Sequence, residues 1–220
     1  MNPWPQCRLK GDVTTDGSSA GKLSRGRHEC DVRWVHHDGT GYLFARTRRV
    51  QISNETQSGS WRRISGTRSG EKVTDDVFTL SINHGAGPQG DGYAYFIFPG
   101  VDPRQLAKLA NKNPCEILAN TADVQAVYHA GDSALGAVFY SAGGFTASGW
   151  TVTADRSCAL VYSRSGKTWT LSAADPACGS GPLTIVISRP DGRRVRELVT
   201  LPRGNRAGAS VIVKVGGQAG

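Results

Sequence analysis

The chain has 220 residues, 38% of them hydrophobic, and its mean hydropathy of -0.34 is typical of a water-soluble globular protein. No apolar run approaches the roughly 18 to 20 residues that would span a bilayer, which excludes an integral membrane protein. Residues 1–10 lack the basic and then apolar pattern of a secretory signal, so we expect no export signal in this chain.

Positive charge is concentrated in the two flanks of the chain. Residues 1–75 carry 13 Lys and Arg against 8 Asp and Glu, residues 76–150 carry 3 against 6, and residues 151–220 carry 10 against 4. This excess favours an anionic partner such as acidic polysaccharide, nucleic acid or a membrane surface, without choosing among them. A soluble basic surface explains the same charges.

The first predicted element is an irregular N-terminal segment, residues 1–30, which is rich in Gly, Ser, Thr, Lys and Arg. From residue 31 onward, short stretches of β-branched and aromatic residues alternate with turn-forming residues, among them the pair Gly143-Gly144, which predicts antiparallel strands joined by turns. In the clearest strand, 77–84, Phe78, Leu80 and Ile82 fall on one face, as a half-buried strand requires. The other predicted strands are 32–36, 42–46, 50–55, 60–64, 93–98, 124–129, 137–141, 151–154, 159–163, 168–172, 183–188, 195–201 and 210–215.

One helix is predicted, over residues 103–112. Pro103 stands in its first turn, directly after Asp102, and Leu106, Leu109 and Ala110 recur at helical spacing. The helix separates one strand-rich block, residues 31–112, from a second, residues 113–220. The predicted fold is therefore all-β, with two antiparallel β-sandwich units joined by a short helix-containing connector.

The cysteines predict neither a metal site nor a complete set of disulfides. They show no CxxC pair and no metal-ligand spacing with the histidines, and no nucleotide or calcium motif is present, so we expect no metal and no other cofactor. Cys158 and Cys178 lie at the edges of predicted strands and could form a bridge in an exported protein. The odd number leaves at least one thiol free. The five residues are Cys7, Cys30, Cys115, Cys158 and Cys178.

Four residues are candidates for substrate binding. Trp61 offers an aromatic platform, and the adjacent Arg62 can neutralise a carboxylate or phosphate. Asn83 and His84 close a predicted strand before a Gly-rich turn, a position at which binding sites often lie. A solvated strand face and an ordinary turn explain the same residues without a ligand. Signatures of nucleic-acid binding are absent, so we expect neither nucleic acid nor a membrane as a partner.

Several segments, in order along the chain, resemble a known family. Six of them resemble the central β-sandwich of polysaccharide lyase family 8, and the last two resemble its separate C-terminal β domain, over roughly residues 31–200. The segments are 34–44 (WVHHDGTGYLF), 59–62 (GSWR), 77–85 (VFTLSINHG), 88–89 (PQ), 93–95 (YAY), 99–100 (PG), 115–127 (CEILANTADVQAV) and 174–176 (ADP).

The resemblance implies a reaction as well as a fold. The family comprises hyaluronate, chondroitin and xanthan lyases, usually exported, with an N-terminal helical toroid followed by antiparallel β domains. They cleave acidic polysaccharides by β-elimination: a base removes the C5 proton of a uronate, whose carboxylate is neutralised by an Asn, and an acid protonates the departing oxygen. The Tyr, His, Asn and Arg that do this belong to the helical domain. That domain is missing from this chain, so the resemblance assigns no catalytic residue here.

The chain is therefore expected to be the C-terminal β portion of a polysaccharide lyase, extracellular by family and structural or substrate-supporting on its own. Its expected partners are acidic polysaccharide and the missing N-terminal helical domain, and a truncated, frameshifted or deliberately cut product would explain that domain's absence. The alternative hypothesis is a stand-alone carbohydrate-binding module for acidic glycans. A third hypothesis is a nonfunctional remnant of such a lyase, with an exposed apolar face.

Overall fold

The structure, a computed structural model, describes residues 12–17, 21–112 and 115–215. Within these ranges the chain folds mainly as antiparallel β-strands, which confirms the predicted all-β class. The chain divides after Lys112 into two compact units. The described residues include no helix with the length and apolar character needed to cross a membrane.

The first unit is built on one six-stranded antiparallel sheet of order β2-β1-β3-β4-β5, in which β6 also pairs with β4. Strand β3 pairs with one edge of β4, while β6 and β5 pair with successive stretches of its other edge. Strands β3, β5 and β6 of this unit therefore all form backbone hydrogen bonds with β4. The elements are β1 (Val13–Thr15), β2 (Gly21–Leu23), β3 (Gly26–His37), β4 (Thr40–Gly59), β5 (Val73–Ser81), β6 (Tyr95–Pro99) and α1 (Pro103–Lys112).

Helix α1 has the predicted bounds and packs on one face of this sheet. Asp102 Oδ1 accepts a hydrogen bond from the backbone N of Gln105 at 2.7 Å, and Gln105 Oε1 accepts one from the backbone N of Asp102 at 2.8 Å. This reciprocal capping box satisfies two backbone donors at the start of the helix. Leu106 is fully buried against Trp34 and Leu43, which are cross-strand partners in β3 and β4.

The opposite face of the sheet carries the second apolar cluster of the unit. Side chains alternate along a strand, so Val35 and Phe44, each next to a residue that faces the helix, point to this other side. The predicted inward face of β5 is confirmed, because Phe78, Leu80 and Ile82 pack against the same cluster. Its buried members are Val13, Leu23, Cys30, Val32, Val35, Phe44, Val50 and Ile52.

The second unit consists of two antiparallel sheets with a common core. The first has the order β10-β11-β14-β15 and the second the order β16-β13-β12-β9-β8-β7. Buried side chains from both sheets, among them Val152, Ile185, Leu160 and Leu171, form one cluster, as in a β-sandwich. The strands are β7 (Cys115–Asn120), β8 (Val124–His129), β9 (Ala134–Phe139), β10 (Gly143–Ala147), β11 (Trp150–Ala154), β12 (Cys158–Ser165), β13 (Thr168–Ala174), β14 (Gly181–Ser188), β15 (Arg194–Leu201) and β16 (Val211–Val215).

The prediction of an irregular segment over residues 1–30 was wrong for much of its described part. Strands β1 and β2 and the start of β3 lie there. Two of them have only three residues, too few for alternation to stand out from a polar background. Residues 1–11 and 18–20 lie outside the described residues.

The prediction of a strand over residues 60–64 was also wrong. A 3-10 turn, Trp61–Arg63, occupies this stretch, and the backbone N of Ile64 and that of Ser65 each donate to Trp61 O at 3.0 Å. The apolar side chains that suggested a strand are not buried, since Trp61 is 58% and Ile64 is 81% exposed.

Gly143 and Gly144, predicted to form a turn, lie in strand β10. A Cβ on Gly144 would come within 2.7 Å of Val152 O and of the Thr153 side chain on β11. The glycine therefore permits a close approach of two strands.

The bridge considered between Cys158 and Cys178 is not formed. Cys158 points into the core of the second unit with 1% exposure, whereas Cys178 is exposed, and both are free thiols. Cys30 and Cys115 are free as well, and Cys7 lies outside the described residues. Burial raises the pKa of the Cys158 thiol to about 11.

Candidate functional site

An aromatic groove of about 480 Å³ lies on the face of the first sheet that helix α1 does not cover. It arises because β5 and β6 pair with different stretches of one edge of β4 and do not pair with each other. The connecting segment, residues 82–94, contributes to its walls. The lining residues are Tyr42, Phe44, Phe78, Leu80, Ser81, Ile82, His84, Tyr93 and Tyr95.

Two tyrosines give the groove an accessible aromatic surface. The rings of Tyr93 and Tyr95 lie 6.0 Å apart between centroids and 21° from parallel, and the residues are 55% and 45% exposed. The His84 ring lies 5.7 Å from that of Tyr93. Each tyrosine offers an apolar ring face with a polar hydroxyl at its end, a combination suited to ligands with both apolar and hydroxylated surfaces.

His84 is oriented by Asp91. Its Nδ1 hydrogen-bonds Asp91 Oδ2, while Asp91 Oδ1 accepts from the backbone N of Gly92 at 2.8 Å. The hydrogen bond from His84 lowers the pKa of the Asp91 carboxyl, and the Gly92 amide adds to the effect. Arg48 donates a further hydrogen bond to Gly92 O, which ties the same turn to β4. The imidazole is thus held at the rim of the groove by an ionised carboxylate.

Asn83 has a local structural contact. Its Oδ1 accepts a hydrogen bond from the backbone N of Gly85 at 2.8 Å, which closes the turn after β5. Asn83 is not among the residues that line the groove, whereas its neighbour His84 is.

Trp61 and Arg62 lie at the far end of β5 from His84. They occupy the turn between β4 and β5, where Arg62 Nε donates to Arg68 O at 3.4 Å. The nine residues of β5 lie between this turn and His84, and they span about 27 Å at the usual rise per residue. The four candidate residues therefore form two separate places on the sheet.

The residues that sequence reasoning missed are Tyr42, Phe44, Tyr93 and Tyr95. The pattern of Tyr93 and Tyr95, two aromatic residues at a spacing of two, places both on one face of an extended segment and could have indicated them. Tyr42 and Phe44 come from a strand that is distant in sequence, and only the pairing of β4 with β6 brings them here.

The described part of the chain contains no group of three or more His, Cys, Asp or Glu side chains that could hold a metal ion. The groove offers aromatic rings and one imidazole–carboxylate pair, and the separate turn offers Trp61 and the exposed Arg62. Such a set can bind an anionic, ring-containing ligand through stacking and charge.

The fold defines a protein of β-sheet units with an open aromatic face, and comparison with known proteins identifies its family. Residues 5–110 match the super-sandwich domain of polysaccharide lyase family 8, and residues 116–183 match the C-terminal β-sandwich domain of the same family. The two matches occur in the family's order and together cover most of the chain. The chain belongs to polysaccharide lyase family 8.

Its relatives are polysaccharide lyases. Chondroitinase-AC of Pedobacter heparinus is 34% identical over 204 residues, which cover 90% of this chain and 29% of that protein. Hyaluronate lyase HylB of Enterococcus faecalis is 30% identical over 182 residues, which cover 77% of this chain and 18% of that protein. A solved structure of chondroitinase AC lyase, from a study of enzyme–oligosaccharide complexes, matches with a TM-score of 0.82 at 33% identity over 93% of this chain and 31% of that chain. This chain spans less than a third of the length of these relatives.

Proposed function

We propose that this chain is the C-terminal β portion of an extracellular lyase that cleaves an acidic polysaccharide by β-elimination at a uronic acid. The observation that carries the proposal is the match, in order, of both units to family-8 domains, with 34% identity to chondroitinase-AC across nearly the whole chain. The net charge of +8 is consistent with a polyanionic substrate.

In this proposal the chain supports the reaction and does not perform it. β-Elimination needs a base at C5, a donor that offsets the uronate carboxylate and an acid at the leaving oxygen. By resemblance to the family, these groups belong to a helical domain. The imidazole of His84 is already engaged with Asp91, and it lies about one β5 length from Arg62 and Trp61. The β units would then buttress the helical domain and contribute contacts to substrate.

Turnover by the purified chain tests this division of roles. The chain is incubated with chondroitin sulfate, hyaluronan and xanthan, and the absorbance of the unsaturated uronate product is followed. We expect no sustained increase, whereas a full-length family-8 lyase assayed in parallel gives one. Continuous product formation by the chain alone, abolished in His84→Ala, would place catalysis in the groove and overturn the proposal.

Substrate contact is proposed at two places on the first unit. The first is the aromatic groove, where His84 lies beside two accessible tyrosines and Asn83 closes the adjoining turn. The second is the exposed turn with Trp61 and Arg62. Retention of Tyr95→Ala and Trp61→Ala on immobilised acidic glycan, compared with the parent chain, measures each place separately. Unchanged retention of both variants would remove the two contacts from the proposal.

A stand-alone carbohydrate-binding module is the second candidate function, and the 58% exposure of Trp61 beside an exposed cation favours it. Such a module binds glycan without help from another domain. Saturable, salt-sensitive retention of the chain on acidic glycan, lost in Trp61→Ala or Arg62→Ala, would support it. Absence of retention under conditions where the chain is folded would exclude it.

A further inference from the structure

The outer face of the four-stranded sheet in the second unit carries exposed arginines along its edge strand. In β15, Val199 and Leu201 are buried, whereas Arg194, Arg196 and Leu198 on the opposite side are exposed. The two arginines follow each other at a spacing of two residues, so their Cα atoms lie about 7 Å apart on one face.

The face next to these arginines is rich in hydroxyl groups. The register places Arg194 opposite Ser188 of β14, which in turn lies opposite Thr151 of β11. Thr151 Oγ1 lies 3.1 Å from Thr146 Oγ1 on β10. A row that runs across the sheet from Arg194 therefore consists of side chains that can donate and accept hydrogen bonds.

Two further arginines extend the positive surface beyond the end of β15. Arg203 and Arg206 line an open cleft of about 600 Å³, together with Thr200 and the apolar side chain of Ile212, which is 69% exposed. Thr200 lies on the exposed side of β15, as Arg194 and Arg196 do, so one wall of the cleft adjoins the face that carries these two arginines. We call Arg194, Arg196, Arg203 and Arg206 the basic strip.

The charges of the basic strip are not neutralised within the described part of the chain. None of the ion pairs found among the described residues involves its four arginines, whereas Arg25, Arg27 and Arg49 of the first unit each pair with a carboxylate. Glu197, the one acidic residue between 193 and 206, lies on the other side of β15. The basic strip can therefore bind an external polyanion without breaking an internal pair.

We infer that the basic strip binds a linear polysaccharide that carries sulfate or carboxylate groups, as a retention surface additional to the contacts proposed on the first unit. Guanidinium groups contact sulfate and carboxylate in bidentate geometry, and the neighbouring hydroxyls match the hydroxyls of sugar units. Several weak contacts along one polymer combine into useful affinity. This inference rests on the proposed function, because it takes the substrate class from it.

The full-length chain tests the inference by surface plasmon resonance on immobilised chondroitin sulfate at low salt. We expect Arg194→Ala/Arg196→Ala to bind about tenfold more weakly, since two exposed charge contacts are lost. A second variant, Arg203→Ala/Arg206→Ala, probes the cleft end of the strip and is expected to weaken binding in the same direction. The matched control is Arg104→Ala/Lys108→Ala on the exposed side of α1, which removes the same charge and should bind within about twofold of the parent chain.

Hyaluronan as the immobilised ligand distinguishes the anionic groups, because it carries carboxylates and no sulfates. A loss on both surfaces assigns carboxylate recognition to the strip, and a loss on chondroitin sulfate alone assigns sulfate recognition. Parent-like binding by both strip variants, an equal loss in the control, or no binding by the parent chain would overturn the inference. The turnover assay distinguishes failure of this inference from failure of the proposed function. Catalysis by the chain alone would contradict the proposed function, and it does not depend on the basic strip.

Discussion

Arg189 is a buried cation in the hairpin between β14 and β15. Its guanidinium lies 4.6 Å from the ring centroid of Trp169 and pairs with Asp191 at 2.9 Å, and the residue is 6% exposed. Trp169 in turn stacks on Tyr162 at 4.6 Å and 14°. The planar guanidinium can stack and pair at the same time, which a lysine ammonium cannot do.

Arg189→Lys should therefore lower the free energy of unfolding by about 1–2 kcal/mol although it keeps the charge. Urea unfolding followed by tryptophan fluorescence measures the change. Arg193→Lys, in the same hairpin but exposed, is the control and should change stability by less than about 0.5 kcal/mol. Equal stability of Arg189→Lys and the parent chain would show that the stacked geometry contributes nothing.

At the level of elements, α1 approaches β4 at Gly41. A Cβ built there would lie 2.6 Å and 2.9 Å from the two methyl carbons of Leu106, and 2.9 Å from a methyl of Val101. Leu106 is fully buried, so it has little freedom to move aside. The helix position thus depends on the absence of a side chain at one point of the strand.

Gly41→Ala should destabilise the first unit by about 1–3 kcal/mol, because the added methyl overpacks this contact. Gly59→Ala, at the other end of the same strand, is the matched control, since a Cβ there meets nothing within 4 Å. Thermal unfolding monitored by circular dichroism compares the two. A lower midpoint for Gly59→Ala than for Gly41→Ala would contradict the packing argument.

The alternation of apolar and polar residues predicted the strands that are half-buried or long. It failed where an apolar side chain is exposed. It located β5 through Phe78, Leu80 and Ile82, because these side chains do pack on the core. Alternation predicted a strand at Trp61, whose ring is exposed. The glycine pair at 143–144 predicted a turn, although Gly144 lets two strands approach closely. Neither burial nor close approach is visible in local sequence.

The candidate site was predictable only in part for a related reason. His84 was identified from its position at a strand end, and the structure places it at the groove. The rest of the groove depends on which stretch of β4 each partner strand uses. That pairing joins residues 14 to 30 positions apart for β5 and 51 to 59 positions apart for β6. The family, in contrast, was predicted from several segments in the same order along the chain, and such a match depends on many residues together.

At the scale of the whole molecule, thiol and phenol groups whose pKa is raised by burial make the folded state less stable at alkaline pH. Among the described residues, burial raises the pKa of four groups, and that of Cys158 reaches about 11 against an ordinary value of 9.0. Above pH 9 the unfolded chain loses these protons before the folded chain does, so proton release favours unfolding as pH rises toward 11. The four groups are Cys30, Cys115, Cys158 and Tyr162.

We expect these groups to leave the free energy of unfolding constant between pH 7 and 8. Between pH 9 and 11, the free energy of unfolding should fall by up to about 2 kcal/mol for a thiol whose pKa is raised as far as that of Cys158. Urea titrations across this range measure the slope. Cys158→Ala should flatten the alkaline slope, whereas Cys178→Ala, at an exposed position, should follow the parent chain. An unchanged slope in Cys158→Ala would exclude this thiol as a source of alkaline instability.

Strand β4 is the only partner of both β5 and β6 among the described residues, and this determines where the backbone of the first unit tolerates interruption. A break within β4 would disconnect the pairings on both of its edges. A protease cut in the exposed 65–70 stretch would instead leave the nine-residue ladder between β4 and β5 intact, and the two fragments would stay associated. The same stretch is accordingly the natural place to insert an affinity tag or a fluorophore without unfolding the unit.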